Sequence, residues 1–159
     1  MKTTAIDAVH RAVMRHSLEE IRHAIAKGDP VDAKDNYRRT PLFYACMDGD
    51  LSIVLELIEH GADTNSQDRD KRTPLHFAAQ SYQAEIAKLL LRSGANVDTQ
   101  DVHGNTPLAV AVFDSPGRRD LIEVLLSAGA NKSVENLHGV TPEGLAKSIA
   151  NFDVHKFLQ

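Results

Sequence analysis

The sequence predicts an all-α solenoid of helix-turn-helix units joined by protruding β-hairpin-like loops, and three observations predict it. Thr-Pro-Leu occurs at Thr40-Pro41-Leu42, Thr73-Pro74-Leu75 and Thr106-Pro107-Leu108, with a Thr141-Pro142-Glu143 variant after them, at spacings of 33, 33 and 35 residues. A glycine marker keeps step with it: Gly61-Ala62-Asp63, Gly94-Ala95-Asn96 and Gly129-Ala130-Asn131 repeat at 33 and 35, and Gly28-Asp29-Pro30 lies a further 33 upstream. Between the markers, apolar residues recur with helical periodicity. Markers in register at one period identify an array whose units bury their apolar faces against one another.

Each unit opens at Thr-Pro, where threonine suits the N-cap and proline is tolerated at the first helical position because no amide donor is needed there. The first helix carries small residues at its centre, Ala45-Cys46, Ala78-Ala79 and Ala111-Val112, as close packing against neighbours requires. A second helix carries apolar pairs four apart: Ile53-Val54 with Leu57-Ile58, Ile86-Ala87 with Leu90-Leu91, Leu121-Ile122 with Leu125-Leu126. It ends at Gly61, Gly94 or Gly129, placed for the left-handed C-terminal conformation. The segment up to the next Thr-Pro is polar and turn-rich.

Projected backwards, the period sets Val9-His10-Arg11-Ala12-Val13 on Leu75-His76-Phe77-Ala78-Ala79, and Ile21, Ala24 and Ile25 on second-helix core positions. Glu20 falls where Ile53 and Ile86 fall. At the other end Val154 and Leu158 match Ile86 and Leu90, while His155 and Gln159 replace the second member of each apolar pair. Polar residues at core positions suit a terminal unit with one neighbour. The chain is therefore expected to be one domain of five units, 1–35, 36–68, 69–101, 102–136 and 137–159, with the first and last as caps and the stack beginning and ending within it.

Asp68 through Gln100, with Thr73-Pro74-Leu75-His76-Phe77-Ala78-Ala79 and Gly94-Ala95-Asn96-Val97-Asp98, closely resembles an ankyrin repeat, and the resemblance covers nearly the whole chain. It implies a curved stack in which loops and first helices line a concave face. It also implies a structural role for His76, hydrogen bonding between loops.

A formal net charge of -4 and a pI near 6.0 give no global polycation, so neither nucleic acid nor a membrane surface is an expected partner. Cys46, the one cysteine, cannot form an intramolecular disulfide, which fits a reducing compartment. The first residues reach Asp7 before any apolar run develops, so no secretory signal is read there, and a cytoplasmic location is expected.

Positions that the fold leaves free are where such repeats bind, so departures from the pattern mark the candidate site. After the small pair of the first helix stand Met14, Met47, Gln80, Phe113 and Ser148, a column enriched in adaptable apolar contact makers. The loop tips read Asn36-Tyr37-Arg38-Arg39, Arg69-Asp70-Lys71-Arg72, Val102-His103-Gly104-Asn105 and Leu137-His138-Gly139-Val140. Arg38 and Lys71 replace the glycine usual in ankyrin repeats, at about 1 kcal/mol each if a left-handed conformation is kept. Five basic groups on the first two tips suit an acidic partner surface. The turn between helices carries Tyr82-Gln83 in one unit and, in the next, a two-residue insertion giving Asp114-Ser115-Pro116-Gly117-Arg118-Arg119-Asp120. Tyr37, Tyr82, Met47 and Phe113 are candidate anchors. Arg39, Arg69, Arg72, Arg118 and Arg119 are steering or rim contacts, with Asp70, Gln80, His103 and Asn105 completing the face.

Catalytic chemistry finds little purchase. The eight histidines lack His-x-x-x-His or cysteine-rich metal spacing, although His103 and His138 stand at equivalent loop positions. There is no glycine-rich phosphate loop and no Gly-x-Ser-x-Gly elbow. No cofactor, metal or enzymatic activity is expected. The expectation is a protein that is monomeric when free and grips one folded partner through the concave face, acting by occupancy. Small bacterial ankyrin proteins imply by analogy an inhibitor or immunity protein neutralising a cognate toxin or effector. An adaptor or scaffold recognising an extended peptide is the alternative.

Overall fold

The structure, a computed structural model, describes residues 7–114 and 119–148. Within them run α1 (Ala8–Met14), α2 (Leu18–Ala26), α3 (Pro41–Asp48), α4 (Leu51–Glu59), α5 (Pro74–Gln80), α6 (Ala84–Arg92), α7 (Pro107–Phe113), α8 (Asp120–Ser127) and α9 (Pro142–Ser148). The first helices α1, α3, α5, α7 and α9 lie side by side as one row, and α2, α4, α6 and α8 form a second row behind them. Val154, Leu158 and the insertion residues 115–118 lie outside the described residues.

The helices begin where the sequence places them, with Thr40, Thr73 and Thr106 as N-caps and proline at the first turn of α3, α5 and α7. The small pairs Ala45-Cys46, Ala78-Ala79 and Ala111-Val112 are fully buried, so adjacent first helices can approach closely. Leu42, Leu75 and Leu108 are likewise fully buried, as are Leu57 and Leu90 behind them. Burying such a side chain stabilises by about 1.5–3 kcal/mol, and each gain depends on a neighbouring unit being present. Burial pushes the Cys46 thiol well above its ordinary range, as for a core residue with no thiolate chemistry. In the first unit Glu20 projects to solvent and pairs with Arg15 at 3.1 Å, leaving Ile21 to fill the core. Behind it Arg22 of α2 grips the buried Glu56 carboxylate of α4 with two bonds of 2.9 and 2.7 Å.

Loops join the units without forming strands among the described residues. Each tip closes as a tight turn: Arg38 N–H donates to Asp35 C=O, Lys71 to Asp68, Gly104 to Asp101 and Gly139 to Asn136. The third tip residue is left-handed every time, at φ 62° for Arg38, 57° for Lys71, 78° for Gly104 and 71° for Gly139. At Gly104 an added Cβ would stand 2.9 Å from the backbone nitrogen of Leu137, so glycine is required there for space as well as for conformation.

His76 ties one unit to the next. Its Nδ1 faces the Thr73 amide at 3.1 Å, so the proton sits on Nε2, which donates to the Asn105 carbonyl at 3.1 Å. His10 makes the equivalent contact with the Arg39 carbonyl, also 3.1 Å. At the intervening position stands Phe43, which packs edge-on against Phe77 and leaves the buried Thr40 hydroxyl with no partner.

Burial lowers the His76 pKa from about 6.5 to about 4. Below the ordinary value the unfolded chain takes up a proton that the folded chain refuses, so this contribution is complete above about pH 6.5 and is lost as pH falls toward about 4. His76 alone is expected to cost about 2 kcal/mol of stability between about pH 7 and pH 5. Urea unfolding at both values checks this, with His76→Gln expected to remove that part of the pH dependence.

Candidate protein-binding face

The tips are held by a side-chain oxygen at the base of each. Asp35 Oδ1 accepts the amides of Tyr37 and Arg39 at 2.8 Å. Asp68 Oδ1 accepts those of Asp70 and Arg72 at 2.9 Å, and Asp101 Oδ1 those of His103 and Asn105 at 2.9 Å. Asn136 does the same for His138 and Val140, at 2.9 and 3.0 Å. Burial raises the Asp35 pKa, but hydrogen bonds from Tyr44 and the two amides outweigh it and hold the carboxyl below its ordinary range. The tips are then chained together: Arg69 N–H donates to Tyr37 C=O, Val102 to Asp70 and Leu137 to His103, at 2.9–3.0 Å. These aspartates recur at the 33-residue period, a signal that the sequence reading passed over.

Two of the predicted rim arginines work within the fold. Arg39 and Arg72 lie over the ring of the buried Phe77, their guanidinium carbons 4.9 and 4.3 Å from its centroid. Arg39 also lies 5.4 Å from the Tyr37 ring centre and reaches the buried Asp68 at 3.4 Å, while Arg72 donates to Gln80 at 2.8 Å. Both side chains are half-buried, so the outward charge of the first two tips comes from Arg38, Arg69 and Lys71, all exposed.

The column beside the tips faces solvent. Met14 is 43% exposed, Met47 39% and Phe113 70%, with Gln80 exposed between them. Next to Phe113 a groove of about 470 Å³ opens between α7 and α9, with Ala109, Val110, Val140 and Leu145 supplying apolar lining. Arg72, Gln80, Asn105, Asp114, Asn136 and His138 complete it. Burial raises the Asp114 pKa, opposed by the charge of Arg72. The groove thus gathers Phe113, Arg72, Gln80 and Asn105, and adds residues of the last unit that the sequence reading did not single out. Val140 was legible as an exposed apolar tip residue; Leu145 was not.

Other candidates fall elsewhere. Tyr82 sits at the end of α5 away from the tips, left-handed at φ 57° and packed partly on the core. Arg119 precedes α8 and approaches Glu123 at 3.8 Å, and Arg118 lies outside the described residues. His103 presents its side chain to solvent on the third tip. Among the described residues no three His, Cys, Asp or Glu side chains converge as a metal site requires, and no helix is long and apolar enough to cross a membrane.

Residues 2–68 and 47–136 match the family model described as ankyrin repeats (3 copies). No curated protein matches the chain.

Left-handed backbone at a residue bearing a Cβ costs about 1–2 kcal/mol. Arg38→Gly and Lys71→Gly are therefore each expected to stabilise the chain by about 1 kcal/mol, and the pair additively, since exposed side chains lose no packing. Thermal unfolding of the two single variants and the double variant checks this.

Proposed function

The chain belongs to the ankyrin-repeat family, and from that premise we propose that it acts as a stoichiometric binder of one folded protein, in the manner of an inhibitor or immunity protein that neutralises a cognate bacterial toxin or effector. Repeats of this family mediate protein–protein interaction. The observation that carries the finer reading is the exposed Met47-Gln80-Phe113 column, set beside tips whose backbones are already bonded to one another. A surface ordered before the encounter loses little conformational entropy on binding, which favours high affinity for one shape. Methionine and phenylalanine supply apolar contact on a face that the fold does not itself use.

The groove at Phe113 favours a second reading, an adaptor that accepts a side chain of an extended peptide. Area and affinity separate the two, because a blocker covers several units whereas a peptide reader fills one groove.

Affinity capture with the full chain, against protein from the organism that encodes it, followed by calorimetry with the purified partner, tests the proposal. The expected result is one folded partner bound one to one, with Kd near or below about 1 nM, and at least about 100-fold weaker binding by Met47→Asp/Phe113→Asp. Several partners sharing a short motif at micromolar affinity would establish the adaptor instead.

A further inference from the structure

We propose that the partner segment lying along the tips is bipartite: an acidic stretch over the tips of the second and third units, followed along the stack by an apolar side chain seated in the groove beside Phe113. This rests on the binding-face reading above and adds the chemistry of the occupant.

The tip row changes character along its length. Arg38, Arg69 and Lys71 are exposed on the first two tips, and none of them forms an ion pair among the described residues. Arg39 and Arg72, by contrast, are drawn down over Phe77. Asp70 is the one exposed carboxylate on these two tips, so their outward charge is positive on a chain whose formal net charge is -4. The next two tips carry no lysine, arginine or carboxylate from Val102 to Asn105 or from Leu137 to Val140. They expose apolar side chains instead, Leu137 at 75% and Val102 and Val140 nearer 40%. Val140 belongs to the groove lining, so the last of these tips runs into the groove.

The placement of the charges is conformationally costly. All four tips hold their third residue left-handed, yet the two apolar tips use glycine there and the two cationic tips use Arg38 and Lys71. Both side chains are exposed, and among the described residues neither forms an ion pair or lies over a ring as Arg39 and Arg72 do. An acidic stretch gives those charges a counterpart and steers the encounter, while the groove supplies the anchor. A nucleic acid would meet the cations, but the apolar half of the row would gain nothing from its phosphates.

The test is selection of random twelve-residue displayed peptides on the full chain, with enriched sequences synthesised and measured by fluorescence anisotropy. The expected winners carry clustered Asp or Glu on one side of a Leu, Ile or Phe. Arg38→Gly/Arg69→Ser/Lys71→Gly is expected to weaken them by about 10-fold or more and to flatten their salt dependence, with no loss of thermal stability. Phe113→Asp/Val140→Asp is expected to remove binding, with circular dichroism confirming that the variant folds. Winners without an acidic cluster, equal binding to the triple variant, or no enrichment at all would overturn the proposal. The natural partner separates the two levels. If its capture is lost in Met47→Asp/Phe113→Asp but is indifferent to salt and to the triple variant, the bipartite order fails and the binding face stands. If its capture is indifferent to Met47→Asp/Phe113→Asp, the binding face itself fails.

Discussion

At the base of each loop tip a single side-chain oxygen, from Asp35, Asp68, Asp101 or Asn136, accepts two backbone N–H groups. This interaction positions everything else on the face. A short turn projecting from a helical stack has few buried contacts of its own, and without internal hydrogen bonds its backbone would sample many conformations. Fixing two amides to one oxygen aims the next carbonyl along the stack, where the following tip supplies a donor. His76 and His10 fasten the bases of the loops from below. A second series links the connections after the second helices from one unit to the next, where Asp32, Asn65 and Asp98 each accept one amide, from Asp63, Asn96 and Asn131.

One carboxylate in this scheme also places an arginine. Asp68 offers one oxygen to its own tip and the other to Arg39, which draws that guanidinium over Phe77. Cation-to-ring contact at a partly desolvated site is worth about 0.5–2 kcal/mol, enough to hold a long side chain against its rotamer entropy. Arg39 and Arg72, the latter bonded to Gln80, both lie over Phe77, and the remaining basic residues of the two tips are left facing outward. Exposed charge and inward-folded charge are adjacent in sequence but separated by direction.

The periodic part of this architecture was legible from the residues. Thr-Pro-Leu and the glycine marker locate the first and second helices, because capping and C-terminal chemistry act within a few residues. The Met47-Phe113 column was located by its place in the repeat, but whether it lay open or beneath the adjacent loops was settled only by the structure, which exposes both residues. What could not be read is set by contacts between units. Nothing local distinguishes Arg39 and Arg72, which fold inward, from Arg38 and Lys71, which point out. The left-handed turn at Tyr82 and its partial packing on the core were likewise not legible. Leu145 joins Phe113 only because α9 stacks on α7.

The central claim is that the proposed binding face is ordered in the free chain, and native-state hydrogen exchange of the tip amides tests it most directly. The bonded amides of Arg69, Val102 and Leu137, and those of Arg39, Arg72 and Asn105, are predicted to exchange at least about 100-fold more slowly than in an unstructured chain. Exchange of these amides at unstructured-chain rates while the helices remain protected would contradict it, since the tips would then become ordered only on meeting a partner.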